Sequence, residues 1–163
     1  MNQNRMTLFV RSAKVMVEIF GSCGYNKKEH EQEARNMYEY DSRVRLSEVD
    51  QHQRMTLNAV LNYFQDCSSF HSEDLGVGIE YLNEHNRMWV LRSWKIVVDR
   101  YPYMGEQIKV GTWPYEFGRM TGRRNFRLLD NQGKMAAYAD SEWVLMDTER
   151  MRPTKIEESL SGA

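Results

Sequence analysis

From Met37 onward, apolar and polar residues alternate: Tyr38, Tyr40, Val44 and Leu46 share one parity, with Glu39, Asp41, Arg43 and Arg45 on the other. A period of two is that of a half-buried strand. The period then lengthens. Leu57, Val60, Leu61, Phe64, Cys67, Ser68, His71 and Leu75 recur at three- and four-residue steps, a stripe of about five helical turns. Thr56 stands where an N-cap belongs, and Gly76 where a helix stops. "GVGIEYLNEHN" reads as a loop with a short helical turn. Strand character then returns over Met88–Asp99, Glu106–Tyr115, Arg123–Asp130 and Lys134–Asp147. Tyr101-Pro102, with Gly105 beyond, supplies the first turn, and "DNQG" supplies a hairpin. Strand, long helix and four antiparallel strands predict an α+β fold, with a sheet of about five strands. One helix covers a wide sheet only if the sheet curls around it, and an open edge invites a second copy.

The ends of the chain read differently. Residues 1–20 suggest a short amphipathic helix, and the polar run 21–36 a linker, so 1–36 is expected to be an extension, partly helical or loosely ordered. The folded domain is expected over 37–156, with a flexible tail over 157–163. The stretch from Trp89 to Trp113 is apolar at both parities. On a regular strand Trp89, Leu91 and Val97 face one way and Val90, Trp94, Ile96 and Val98 the other, so this strand is expected in mid-sheet, covered on both faces. Trp89 and Trp94 then meet one pocket only if a bulge intervenes.

The 163 residues allow one domain. With 22 Lys+Arg against 23 Asp+Glu, the charge balance argues against a general nucleic-acid binder. The 11 Met and 12% aromatic residues suit a core or an adaptable apolar pocket. Cys23 and Cys67 are far apart and in no metal-ligand spacing, which fits a reducing cytoplasm, with Cys67 a buried thiol. Arg11, Lys14 and Glu18 interrupt the apolar part of 6–20, against a signal peptide, and no run is long enough for a membrane span.

Separated segments agree, in order, with one family: "WVL", "IVVDRYP", the "GEQIKVGTW" stretch, "GRRNF", "SEWVLM" and "RPTKI", with "LNYFQDCSSFHSEDLGVG" as the central helix. Together they resemble the acyl-acyl-carrier-protein thioesterases, over roughly residues 37–156. The resemblance implies a hotdog fold, a curved antiparallel sheet wrapped around one long helix. It also implies hydrolysis of fatty acyl thioesters of acyl carrier protein during fatty acid biosynthesis, with no metal or organic cofactor. Members of the family carry two hotdog repeats, and this chain matches the first, which shapes the acyl pocket. The second carries catalysis in a D-x-N-x-H motif that does not occur in this sequence. Alternatives are a non-catalytic acyl-binding half or a fragment, an acyl-CoA thioesterase, and a hydroxyacyl-thioester dehydratase.

Thioester hydrolysis needs an activated water or a carboxylate nucleophile, and stabilisation of an oxyanion, which a helix N-terminus can offer. In "EVDQHQR", Glu48, Asp50 and His52 lie just before the helix. Asp50 is the candidate base or nucleophile and His52 its partner. The alternative for this segment is an ordinary solvated loop. His71, on the apolar stripe, reads as a core or dimer histidine. Phe64, Trp89, Leu91 and Trp94 are the candidate acyl-pocket residues. Arg123, Arg124 and Arg127 form a candidate docking patch for an acidic carrier protein, or else ordinary sheet charge paired with acids. A lone repeat is expected to form a homodimer or a higher oligomer.

Overall fold

The structure, a computed structural model, describes residues 6–10, 13–18 and 37–161. The segment 21–36, expected to be a linker, lies outside the described residues. Among the described residues eight strands form one sheet: β1 (Met6–Val10), β2 (Ala13–Glu18), β3 (Tyr38–Arg43), β4 (Arg87–Val98), β5 (Gln107–Phe117), β6 (Thr121–Asp130), β7 (Met135–Asp147) and the short β8 (Arg152–Pro153). Their order is β1-β2-β4-β7-β6-β5-β3, with β8 paired to β7. The five strands expected between 37 and 147 are all present and antiparallel to their neighbours within that group. β4 is an interior strand, between β2 and β7.

The short helix expected over 1–20 is corrected. Met6–Val10 and Ala13–Glu18 are strands, antiparallel to each other, and β2 runs parallel to β4. In "AKVMVE", Val15 and Val17 alternate with Lys14, Met16 and Glu18, and β-branched residues favour the extended chain.

α1 (Leu57–Asp74) runs 18 residues across the sheet. Thr56 accepts a hydrogen bond from the Ala59 N–H. At the other end Gly76 takes φ +72°, and its N–H and that of Val77 reach back to the carbonyls of Glu73 and Ser72. This six-to-one, five-to-two pair is the Schellman stop, which favours glycine in the left-handed position. The helix buries Ala59, Val60, Tyr63, Phe64, Cys67 and His71. Against them the sheet sets Trp94, Ile96, Val98, Val110, Phe126 and Leu128. Trp94 stacks on both Phe64 and Phe126, which are tilted against each other, with centroids 5.0 to 5.8 Å apart. α2 (Ile79–Glu84) follows. The whole is the hotdog arrangement, α+β, with one long helix held in a curled antiparallel sheet.

Two local expectations are also corrected. Leu46 does not continue the buried face of β3. It opens a 3-10 turn, Leu46–Glu48, and is 75% exposed. The tail is not free over its whole length: α3 (Glu158–Ser161) buries Leu160, beside Ile156, against Leu145 and Trp89. Residues 162 and 163 lie outside the described residues.

Candidate functional site

A bulge decides which residues of β4 reach the concave face. Leu91 pairs with Trp143 and Ser93 with Glu142, so Arg92 is an extra residue. Beyond it Trp94 pairs with Ser141, Ile96 with Ala139 and Val98 with Ala137. Trp89, Leu91, Trp94, Ile96 and Val98 therefore all face the helix side. The opposite faces expected of Trp89 and Trp94 on a regular strand are overturned by this one inserted residue.

Between the C-terminal half of α1, α2, α3 and the sheet lies a groove of about 310 Å³. Its apolar wall is Trp89, Trp143, Phe117, Pro114, Leu82 and Leu160, and its polar side carries Ser68, Ser72, Glu73, Arg87 and Arg124. β6 approaches Trp89 closely at Gly122, where a Cβ would stand 3.5 Å from the indole Cη2. Phe117 lies as near, 3.4 Å from the same position.

Of the four expected acyl-pocket residues, Trp89 lines this groove. Phe64 and Trp94 are sealed in the core stack, and Leu91 packs half-buried against it. The groove's other aromatic walls, Trp143 and Phe117, were not singled out from sequence. Their parity on β7 and β5 places them there only once the register is known.

Asp50 and His52 lie elsewhere. Val49 bridges Met55 across a tight loop, and the Asp50 carboxylate accepts the N–H groups of His52 (2.8 Å) and Arg54 (3.0 Å). The Arg54 N–H chiefly holds that carboxyl below its usual range. Both side chains are exposed. Glu48 does not share their side, because it belongs to the 3-10 turn and accepts the Tyr63 hydroxyl at 2.7 Å. This loop adjoins the N-terminus of α1, whereas the groove begins at Ser68. The rise between them along the helix is roughly 17 Å at 1.5 Å per residue. The structure does not bring Asp50 and His52 to the groove.

The three arginines separate by parity. Arg123 and Arg127 point to the outer face, where Arg123 faces Glu116 (3.6 Å) and Arg127 pairs with Glu39 (2.6 Å). Arg124 points inward. Its Nη1 donates to His71 Nδ1 at 3.0 Å and to Thr112 Oγ1 at 3.4 Å. A guanidinium has only donors, so His71 Nδ1 accepts and the ring proton sits on Nε2. Burial and the adjacent Arg124 cation push His71 down to about 4, and its ring stacks on Tyr38 at 5.3 Å. Burial also lowers Arg124 to about 10, still charged at neutral pH. The same burial raises the Cys67 thiol to about 12, and its Sγ lies 3.7 Å from the Val110 carbonyl. That is a structural thiol, not a nucleophile.

Comparison with known proteins agrees with this architecture. Residues 35–162 match the family model described as acyl-ACP thioesterase N-terminal domain. The solved acyl-ACP thioesterase from Bacteroides thetaiotaomicron is 32% identical, with a TM-score of 0.74 over 80% of this chain and 54% of that one. The chloroplastic palmitoyl-acyl carrier protein thioesterase of Arabidopsis thaliana is 28% identical over 126 residues, 73% of this chain and 31% of its own length. The DHNA-CoA thioesterase of Staphylococcus aureus shares the fold, at 13% identity and a TM-score of 0.68. The chain thus spans about a third of that curated relative and about half of the solved acyl-ACP thioesterase. With the family model spanning nearly all of the long helix-and-sheet unit, the protein belongs to the acyl-ACP thioesterase N-terminal domain family.

Proposed function

We propose that the protein serves the hydrolysis of fatty acyl thioesters of acyl carrier protein, and that the groove between α1 and the sheet takes the fatty chain. The observation that carries this reading is the groove itself: tryptophan, phenylalanine and leucine walls in a family of thioesterases. An alkyl chain entering it gains about 0.8 kcal/mol per buried methylene. Each added methylene then tightens binding about fourfold until the groove is full. Hydrolysis adds water oxygen to the carbonyl carbon, breaks the C–S bond and returns a proton to the thiol. This releases the fatty acid and the free carrier thiol.

The test is thiol release from acyl carrier protein and CoA thioesters of graded chain length. The proposal expects release that is faster from the carrier protein and that rises with chain length to a limit. Trp89→Ala should remove most of the length dependence. No release above the rate in buffer rules out hydrolysis by this chain.

A second reading is acyl binding without turnover, and one observation favours it: Asp50 and His52 stand at the far end of α1 from the groove. Bound acyl chain with no thiol released selects that reading.

A further inference from the structure

Arg124 is a half-buried cation whose pairing, among the described residues, is with neutral groups alone. Its Nη1 spends both N–H groups on His71 and Thr112. Three N–H groups remain, on Nε and Nη2, with no partner among the described residues. Neither nitrogen is a buried orphan, since the buried side-chain donors left unmatched are Arg87 Nε and Trp94 Nε1. Arg124 lines the groove, so its free edge opens there. That edge is the two-donor fork that matches a carboxylate.

The other cation facing the groove is already matched. Arg87 pairs with Asp147 (3.5 Å) and Glu157 (3.2 Å). The Glu73 carboxylate accepts the Ile79 N–H at 2.9 Å. Two of the serine hydroxyls are spent as well: Ser68 donates to the Gln65 carbonyl and Ser72 to that of Ser68. His71, neutral and accepting through Nδ1, holds the guanidinium in place without cancelling its charge.

We infer that the groove binds free fatty carboxylates, with the carboxylate on the Nε/Nη2 fork of Arg124 and the alkyl chain along Trp89, Trp143 and Phe117. This rests on the reading of the groove as an acyl-chain site, though not on hydrolysis by this chain. A free fatty acid held this way is retained where a neutral ester of equal length is not, so the product of the proposed reaction competes with its substrate for the groove.

The test uses decanoate and methyl decanoate below micelle-forming concentration, with binding followed by the fluorescence of the groove tryptophans. The expected result is at least a tenfold preference for decanoate over the ester in the wild-type chain. Arg124→Gln, checked for folding by circular dichroism, should abolish the preference while leaving ester affinity within about twofold. Lys109→Gln, a charge change on the outer face beside Asp41, should leave it intact. Equal affinity for the two ligands in the wild type, or a preference that survives Arg124→Gln, overturns the assignment and leaves the acyl-chain site standing. Failure of both ligands to bind overturns the acyl-chain site as well. Should Arg124→Gln not fold, Arg124→Lys keeps the charge and loses the fork, and an undiminished preference there overturns the inference.

Discussion

Burial fixes His71 as a neutral ring, and this makes stability depend on pH in a definite window. Its folded value is about 4 against an ordinary 6.5. Between those values the unfolded chain takes up a proton that the folded chain refuses. The contribution of neutral His71 is complete above about 6.5 and is lost as pH falls toward about 4. Asp130 and Asp147 act lower on the scale. Burial raises Asp130, but hydrogen bonds from Arg100 and two backbone N–H groups outweigh it. The Arg150 N–H holds Asp147 down. Urea midpoints measured from pH 7.5 to 4 should fall more steeply for the wild type than for His71→Gln, which does not titrate. Parallel curves would refute the burial argument. Phe64 makes a second residue-scale case. It is fully buried in the Trp94–Phe126 stack, so Phe64→Ala should cost about 3–5 kcal/mol in denaturant unfolding. A loss below about 1 kcal/mol would remove it from the core.

At the scale of elements, the bulge at Arg92 is the feature with most consequence for the groove. Deleting Arg92 leaves all eleven pairs of the β4–β7 ladder in register and makes the strand regular, with Trp89 and Trp94 still on the helix side. The lost interaction is the Arg92–Glu142 pair at 2.8 Å, on a side chain 61% exposed. The deletion should therefore change stability by less than about 1 kcal/mol and preserve the fluorescence response to acyl ligands. A deletion mutant that unfolds, or that no longer reports ligand through Trp89, would show that the strand is regular after all. The helix was legible from its period, from Thr56 and from Gly76, because caps and a 3.6-residue stripe are local properties. The bulge was not, since an extra residue shows itself only against a partner strand. Leu46 misled for a related reason: its parity fits β3, but the chain leaves the sheet at Val44 to form the 3-10 turn that seats Glu48 on Tyr63.

For the whole molecule, the far edge of the sheet among the described residues is β3, paired on one side to β5. An open edge beside a large curved sheet is a surface for a second copy. Light scattering should give a dimer or larger at micromolar concentration, and a well-folded monomer there would end that expectation. What the sequence determined by itself was the order of elements from residue 37 to 147, the long helix with both its ends, the antiparallel strands there and the family, because period, capping and turn chemistry act over a few residues. It also narrowed the chemistry to candidates, among them Trp89 and Arg124. Only the tertiary structure decided which candidates meet. The register of β4 on β7 brought Trp89 to the helix side. The parity of β6 turned Arg124 inward and Arg123 and Arg127 outward, and the length of α1 kept Asp50 and His52 away from the groove. Each of these depends on pairing between residues distant along the chain, and no local pattern carries that information.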